Sequence, residues 1–169
     1  MSAPQNLTDL YFEELKDLIS ANDQMKKVVK QMADKIEDDD LADMLEDAVD
    51  GIDDHTETLR AMLSESDKGD TSKEHCKGME GLVKEARAHA IEEDVSDEVR
   101  AVAAIAQYQR MSHYGIAGFG TAKAYADALG RDDDTAKLDE MLDDIYGADD
   151  FASELAERSV NLAAKQSTL

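Results

Sequence analysis

The chain has 169 residues, with 40 Asp and Glu against 18 Lys and Arg, for a formal net charge of −22. A field of that sign repels nucleic acid and anionic membrane surfaces, which argues against both as direct partners. One proline, one cysteine and 5% aromatic residues describe an all-helical chain with no intramolecular disulfide and no thiolate zinc cluster.

No linker-like composition divides the sequence, so a single domain spanning residues 1–169 is expected. The opening MSAPQNLTDLYFEEL has no basic stretch leading into an apolar one, and no apolar run approaches the length of a bilayer span. With a lone thiol suited to a reducing compartment, this predicts a cytoplasmic protein. The acidic runs 37–40, 132–134 and 149–150 read as solvated surface.

In chain order, the first helix is traced by Leu15, Leu18, Asn22, Met25, Val29, Met32 and Ile36, in unbroken steps of three and four residues. The second follows Leu41, Met44, Ala48, Gly51 and His55 and then, after a slip of one position, Leu59 and Met62. SESDKGDTSK interrupts the pattern, and a short amphipathic helix runs from about Glu74 to Ile91 with Met79, Leu82, Val83 and Ala86 on one face. Ser96 and Asp97 are placed to cap a long helix through Tyr108, Met111, Gly115, Gly118, Ala122, Tyr125 and Leu129, which Gly130 ends. The last helix carries Leu138, Met141, Ile145, Ala148, Ala152, Leu155, Ser159 and Leu162. Four long amphipathic helices and one short one predict an all-α four-helix bundle with an additional short helix.

A bundle rich in carboxylates invites a di-iron hypothesis, because such sites take a Glu from each of two helices and Glu-x-x-His from each of the others. Only residues on the inward seams reach the centre, and those seams hold essentially no carboxylate. Their central entries are Asn22, Gly51, His55, Gly115 and Ile145. His55 and His113, helped by Asp54 or Asp149, are the candidate ligands of any metal, although a lone imidazole on an apolar face is more often a hydrogen-bonded core residue. Cys76 reads as a small buried hydrophobe, His75 as incidental and His89 as surface. Ser112 beside His113 is no catalytic pair, because adjacent residues on a helix point about 100° apart.

Three stretches carry a family resemblance. LKDLISANDQM at 15–25, HCKGMEGLVKEA at 75–86 and SHYGIAGFGTAKAYADALG at 112–130 resemble the first helix, the Cys-x-Ala-Met-Glu-Gly-Leu segment and the Glu-His-Tyr-Glu-Ile-Ala-x-Tyr-Gly-Thr stretch of the YciE/YciF-type ferritin-like stress proteins. The resemblance runs from about Leu7 to Leu155 and implies a ferritin-like bundle, a homodimer and a di-metal site. The site residues do not carry over. The family's glutamates fall on Asn22, Gly51, Ser112 and Gly115, a glutamine falls on His55, and in the last helix the inward member falls on Ile145; His113 and Tyr114 do match.

The expectation is therefore a non-enzymatic, stress-associated relative that lacks the di-iron site and needs no cofactor. Two alternatives stay open: an iron-dependent oxidase or storage protein, and a small-molecule binder. Small residues in place of large ligands leave space, and Asn22, Gly51, His55, His113, Tyr114, Gly115 and Ile145 are expected to line a pocket there.

Overall fold

The computed structural model describes residues 3–64 and 74–167, and all its regular elements are helices: α1 Leu7–Ala33, α2 Asp39–Ser64, α3 Lys77–Arg87, α4 Asp97–Ala128, α5 Asp132–Leu155 and α6 Asn161–Ser167. The interrupting segment SESDKGDTSK begins with Ser64, which closes α2, and the rest of it lies outside the described residues.

The helix ends follow from local chemistry. The Asn6 side chain accepts the Asp9 N–H at 2.9 Å, Asp38 accepts that of Leu41 at 2.9 Å, and Ser96 accepts that of Val99 at 3.4 Å. Each satisfies a backbone donor that has no partner within its own helix. Gly130 sits at φ +68°, and the Arg131 N–H reaches back to the Ala126 carbonyl at 3.0 Å, so α4 ends in a left-handed turn that glycine adopts without strain.

Helices α1, α2, α5 and α4 form a ring in which each packs on the next, and α3 lies outside it against α1 and α4. Neighbours in the ring are antiparallel: Asp23 of α1 pairs with Arg60 of α2, Lys26 with Asp53, and His55 of α2 with Asp144 of α5. The seam between α2 and α5 is the thinnest of the four.

The core divides into two clusters along the bundle axis. One, at the end where α1 begins, contains Tyr11, Phe12, Leu15, Leu18, Leu59, Phe119, Ala122 and Leu138. The other is built from Met25, Val29, Met32, Leu41, Met44, Met79, Ile105, Tyr108 and Met111, and takes in the inner face of α3. Burying each large apolar side chain contributes about 1.5–3 kcal/mol, so either cluster is a substantial anchor.

Three expectations need correction. Asp134, read as part of a solvated acidic run, is only 3% exposed, because its carboxylate closes a network with Tyr11 and Arg131. Leu162 was expected on the seam of the last helix but is exposed, while Val160 is buried. The cause is a π turn at Ala156–Val160, whose longer hydrogen-bond step shifts the helical register. A second π turn, Ala88–Glu92, prolongs α3. Phe119 rather than Gly118 is the fully buried side chain in that turn of α4. A Cβ on Gly118 would come within 2.7 Å of Leu18 and 3.2 Å of Glu14, so this glycine lets α4 approach α1 closely.

Candidate functional site

Between the two clusters lies a cavity of about 510 Å³ that opens at the seam of α2 and α5. Its presence follows from the residues on its walls. A Cβ added to Gly51 on α2 would meet nothing within 4 Å, and one on Gly115 of α4 would meet only the Phe119 ring at 3.9 Å. Neither position supplies a side chain to fill the space. Leu18, Met25, Met44, Met111, Phe119 and Ile145 make the rest of the wall mostly apolar.

Asn22 and Ser112 also line the cavity, and both side chains are more than nine-tenths buried. Among the described residues, neither Asn22 Nδ2 nor Ser112 Oγ has a hydrogen-bond partner. Ser112 lies beside the Tyr108 phenol, whose pKa is raised chiefly by burial and eased slightly by that hydroxyl, but the two do not meet in hydrogen-bond geometry. Carboxylates occur only towards the mouth, where Asp40, Asp43, Asp47 and Asp144 are exposed. His55 Nε2 lies 3.2 Å from Asp144 Oδ2, and its ring stacks edge-on against Phe119 with centroids 6.0 Å apart. Among the described residues no Lys or Arg lines the cavity.

Of the residues expected here, the structure brings together Asn22, Gly51, His55, Gly115 and Ile145. It does not bring His113 or Tyr114. His113 faces outward, 62% exposed, with Nε2 2.9 Å from Asp149 Oδ2. The Tyr114 side chain turns the other way, towards α1 and α3, where its hydroxyl donates to Asp17 at 3.1 Å and sits 3.0 Å from Cys76 Sγ. The reason is angular: residues one and two positions before Gly115 point about 100° and 200° away from it on the helix. The four metal candidates are correspondingly scattered. His55 pairs with Asp144, His113 with Asp149, and Asp54 is exposed on α2. Among the described residues no group of three or more His, Cys, Asp or Glu is placed to hold a metal ion.

Cys76 is buried, but it is more than a small hydrophobe. Its Sγ caps α3 by accepting the Met79 N–H at 3.4 Å and lies 3.2 Å from Asp17 Oδ2, while its own N–H donates to Ser20 Oγ at 2.9 Å. Burial raises the thiol pKa, which suits a structural clamp between α3 and α1 rather than a nucleophile. Gly78 completes the clamp, since a Cβ there would come within 2.7 Å of the Tyr114 ring.

A family model described as a domain of unknown function, DUF892, matches residues 6–165. The chain belongs to this family. Protein YciF of Escherichia coli strain K12 is 27% identical over 161 residues, covering 95% of this chain and 96% of that protein. The crystal structure of the E. coli stress protein YciF superposes with a TM-score of 0.87 at 26% identity, covering 94% of this chain and 99% of the other. A solved structure of YcfI from Rhodopseudomonas palustris gives a TM-score of 0.83 at 28% identity, with 90% and 97% covered. The DUF892 chain described here thus shares an all-α bundle and the YciE/YciF-type family with these proteins. No helix among its described residues is long and apolar enough to cross a membrane.

The sequence seams identified the walls of the cavity but missed Ser112 as a member. It was visible as the polar residue three before Gly115, one turn away on the same face of α4, and as a position where the family resemblance places a glutamate. Asp43, Asp47 and Asp144 at the mouth were lost among the many surface carboxylates, and only the thin seam between α2 and α5 distinguishes them.

Proposed function

We propose that this chain is a non-enzymatic, ferritin-like member of its family, stress-associated as the E. coli protein's description has it, and without a di-iron carboxylate centre. One observation carries the reading: the side chains or backbone facing the bundle centre are Asn22, Gly51, Gly115 and Ile145, all without charge. A di-iron pair needs several carboxylates to neutralise and bridge two cations. His55 is a single imidazole already engaged with Asp144, and the remaining carboxylates stand at the solvent mouth. These residues do not fit the group, and no redox step follows from them.

The test is metal content of protein purified without chelator, followed by Fe(II) titration under argon. No saturable iron binding is expected. Close to two irons per chain would overturn the reading and make oxidase chemistry the leading function.

A cytoplasmic homodimer completes this reading. Support for pairing comes from the family resemblance and from Tyr146, Phe151 and Leu162, large apolar side chains exposed on α5 and α6. Light scattering at several protein concentrations decides it, with twice the chain mass expected.

A further inference from the structure

The cavity has the features of a binding site, and its chemistry restricts the occupant. We propose that it holds a small apolar molecule that is either neutral and hydrogen-bonded to Asn22 through one acceptor group, or carries a cationic end left at the mouth. This rests on the reading that no metal pair occupies the bundle centre.

Three observations support the assignment. The volume of about 510 Å³ falls in the range of small-molecule sites, and the wall is apolar with few polar groups. Met25, Met44, Met79 and Met111 contribute to it, and unbranched thioethers adapt to irregular ligand shapes. Two polar atoms in the wall, Asn22 Nδ2 and Ser112 Oγ, are buried without partners among the described residues, although native proteins pair nearly all such atoms. A ligand hydroxyl or carbonyl satisfies the amide, which presents a donor and an acceptor.

Charge sets the selectivity. Entry passes Asp40, Asp43, Asp47 and Asp144, with no Lys or Arg on the wall among the described residues. An anion meets only like charge there and has no buried counter-ion inside. A neutral molecule meets no such barrier, and a cationic end left at the mouth is attracted.

The experiment uses three probes of one chain length, 1-decanol, decylammonium and decanoate, each below its solubility or micellar limit. They are titrated calorimetrically into the full chain at one fixed, moderate ionic strength, because high salt would screen the exposed mouth carboxylates that set the selectivity. Decanol and decylammonium are expected to bind one per chain, and decanoate about tenfold or more weakly. Gly115→Leu places a side chain in the cavity and is expected to abolish binding of both. Asn22→Leu keeps the wall apolar and is expected to weaken decanol about tenfold, by loss of its anchor. Helicity and thermal melting report whether each variant folds; where Gly115→Leu does not, Gly51→Phe blocks the cavity from the opposite wall.

Binding that survives both blocking variants, equal or preferred binding of decanoate, or no binding of decanol and decylammonium would overturn the assignment. The parallel Fe(II) titration separates the two failures. Iron at the centre overturns the metal-free reading, whereas absent probe binding without iron overturns only the ligand site.

Discussion

Two of the places where this bundle buries polar side chains are built in opposite ways. At the end where α1 begins, the Tyr11 hydroxyl donates to Asp134 Oδ2 at 2.8 Å and Arg131 Nε reaches the same oxygen at 2.6 Å. The guanidinium also lies over the Tyr11 and Phe12 rings, 5.3 and 5.4 Å from their centroids. Charge, hydrogen bond and cation–π contact are matched there. At the bundle centre, Asn22 and Ser112 are also buried, yet Asn22 Nδ2 and Ser112 Oγ meet no partner among the described residues, and both residues line a cavity. The first arrangement holds helices together. The second gains from an occupant, because an unsatisfied buried group costs stability that a matched one does not.

The largest expected effect comes from breaking the matched network. Asp134→Ala removes the acceptor of both Tyr11 and Arg131 and is expected to cost about 3–5 kcal/mol in urea unfolding, near the lower figure because Arg131 is 33% exposed and can rehydrate. Asp134→Asn keeps the shape and an acceptor and should cost less. The same network fixes a response to alkali. Burial first, then the hydrogen bond to Asp134, raises the Tyr11 pKa, so folding favours the protonated phenol. This contribution is fully present below the unfolded tyrosine value near 10 and is lost as pH rises towards the higher folded value. Tyrosinate absorbance and stability followed together upward from pH 9 should show unfolding accompany ionisation. A normal titration of Tyr11 in the folded protein would contradict the network.

The opposite sign is expected at the centre. Asn22→Leu replaces an unpartnered amide by an apolar group of similar size and should stabilise the ligand-free chain by about 1 kcal/mol. If it destabilises by as much as Asp134→Ala, the amide has a structural partner and the contrast between the two sites fails.

How much of this was readable from sequence follows from the same contrast. Helical periodicity placed Leu15, Leu18, Met25 and Met32 on the core side of α1, where all are buried, because an amphipathic stripe encodes one angle per residue. It likewise put Asn22, Gly51, Gly115 and Ile145 on the inner faces that meet at the cavity. His113 and Tyr114 were assigned to the centre by motif, although their angles on α4 send them outward and towards α3. Asp134 escaped because its burial depends on Tyr11, 123 positions earlier in the chain, a pairing that no local pattern records. Leu162 escaped because the π turn at Ala156–Val160 breaks the periodicity on which its placement rested.

Glycines sharpen the comparison further. Gly51 lies inside α2 with nothing within 4 Å of an added Cβ. Gly51→Ala should therefore recover the helix-propensity loss and stabilise by about 0.5–1 kcal/mol, read from the melting temperature. A destabilisation instead would mean that the backbone there is needed close to another group.

The smallest effect concerns a carboxylate that falls between the two designs. Glu14 of α1 is half-buried, and burial first, then the neighbouring Asp17 charge, raises its pKa, whereas Asp134 has Arg131 and Tyr11 beside it. A raised folded pKa favours folding most below the unfolded value near 4.3, and that benefit is lost as pH rises through the folded value. Stability should thus increase as pH falls from 7 towards 5, reinforced by partial relief of the net charge of −22. Glu14→Gln should stabilise at pH 7 by a few tenths of a kcal/mol, roughly the scale left after solvent screening, and flatten part of the rise. Equal slopes in the variant and the parent would assign the acid response to the overall charge and leave Glu14 without a share in it.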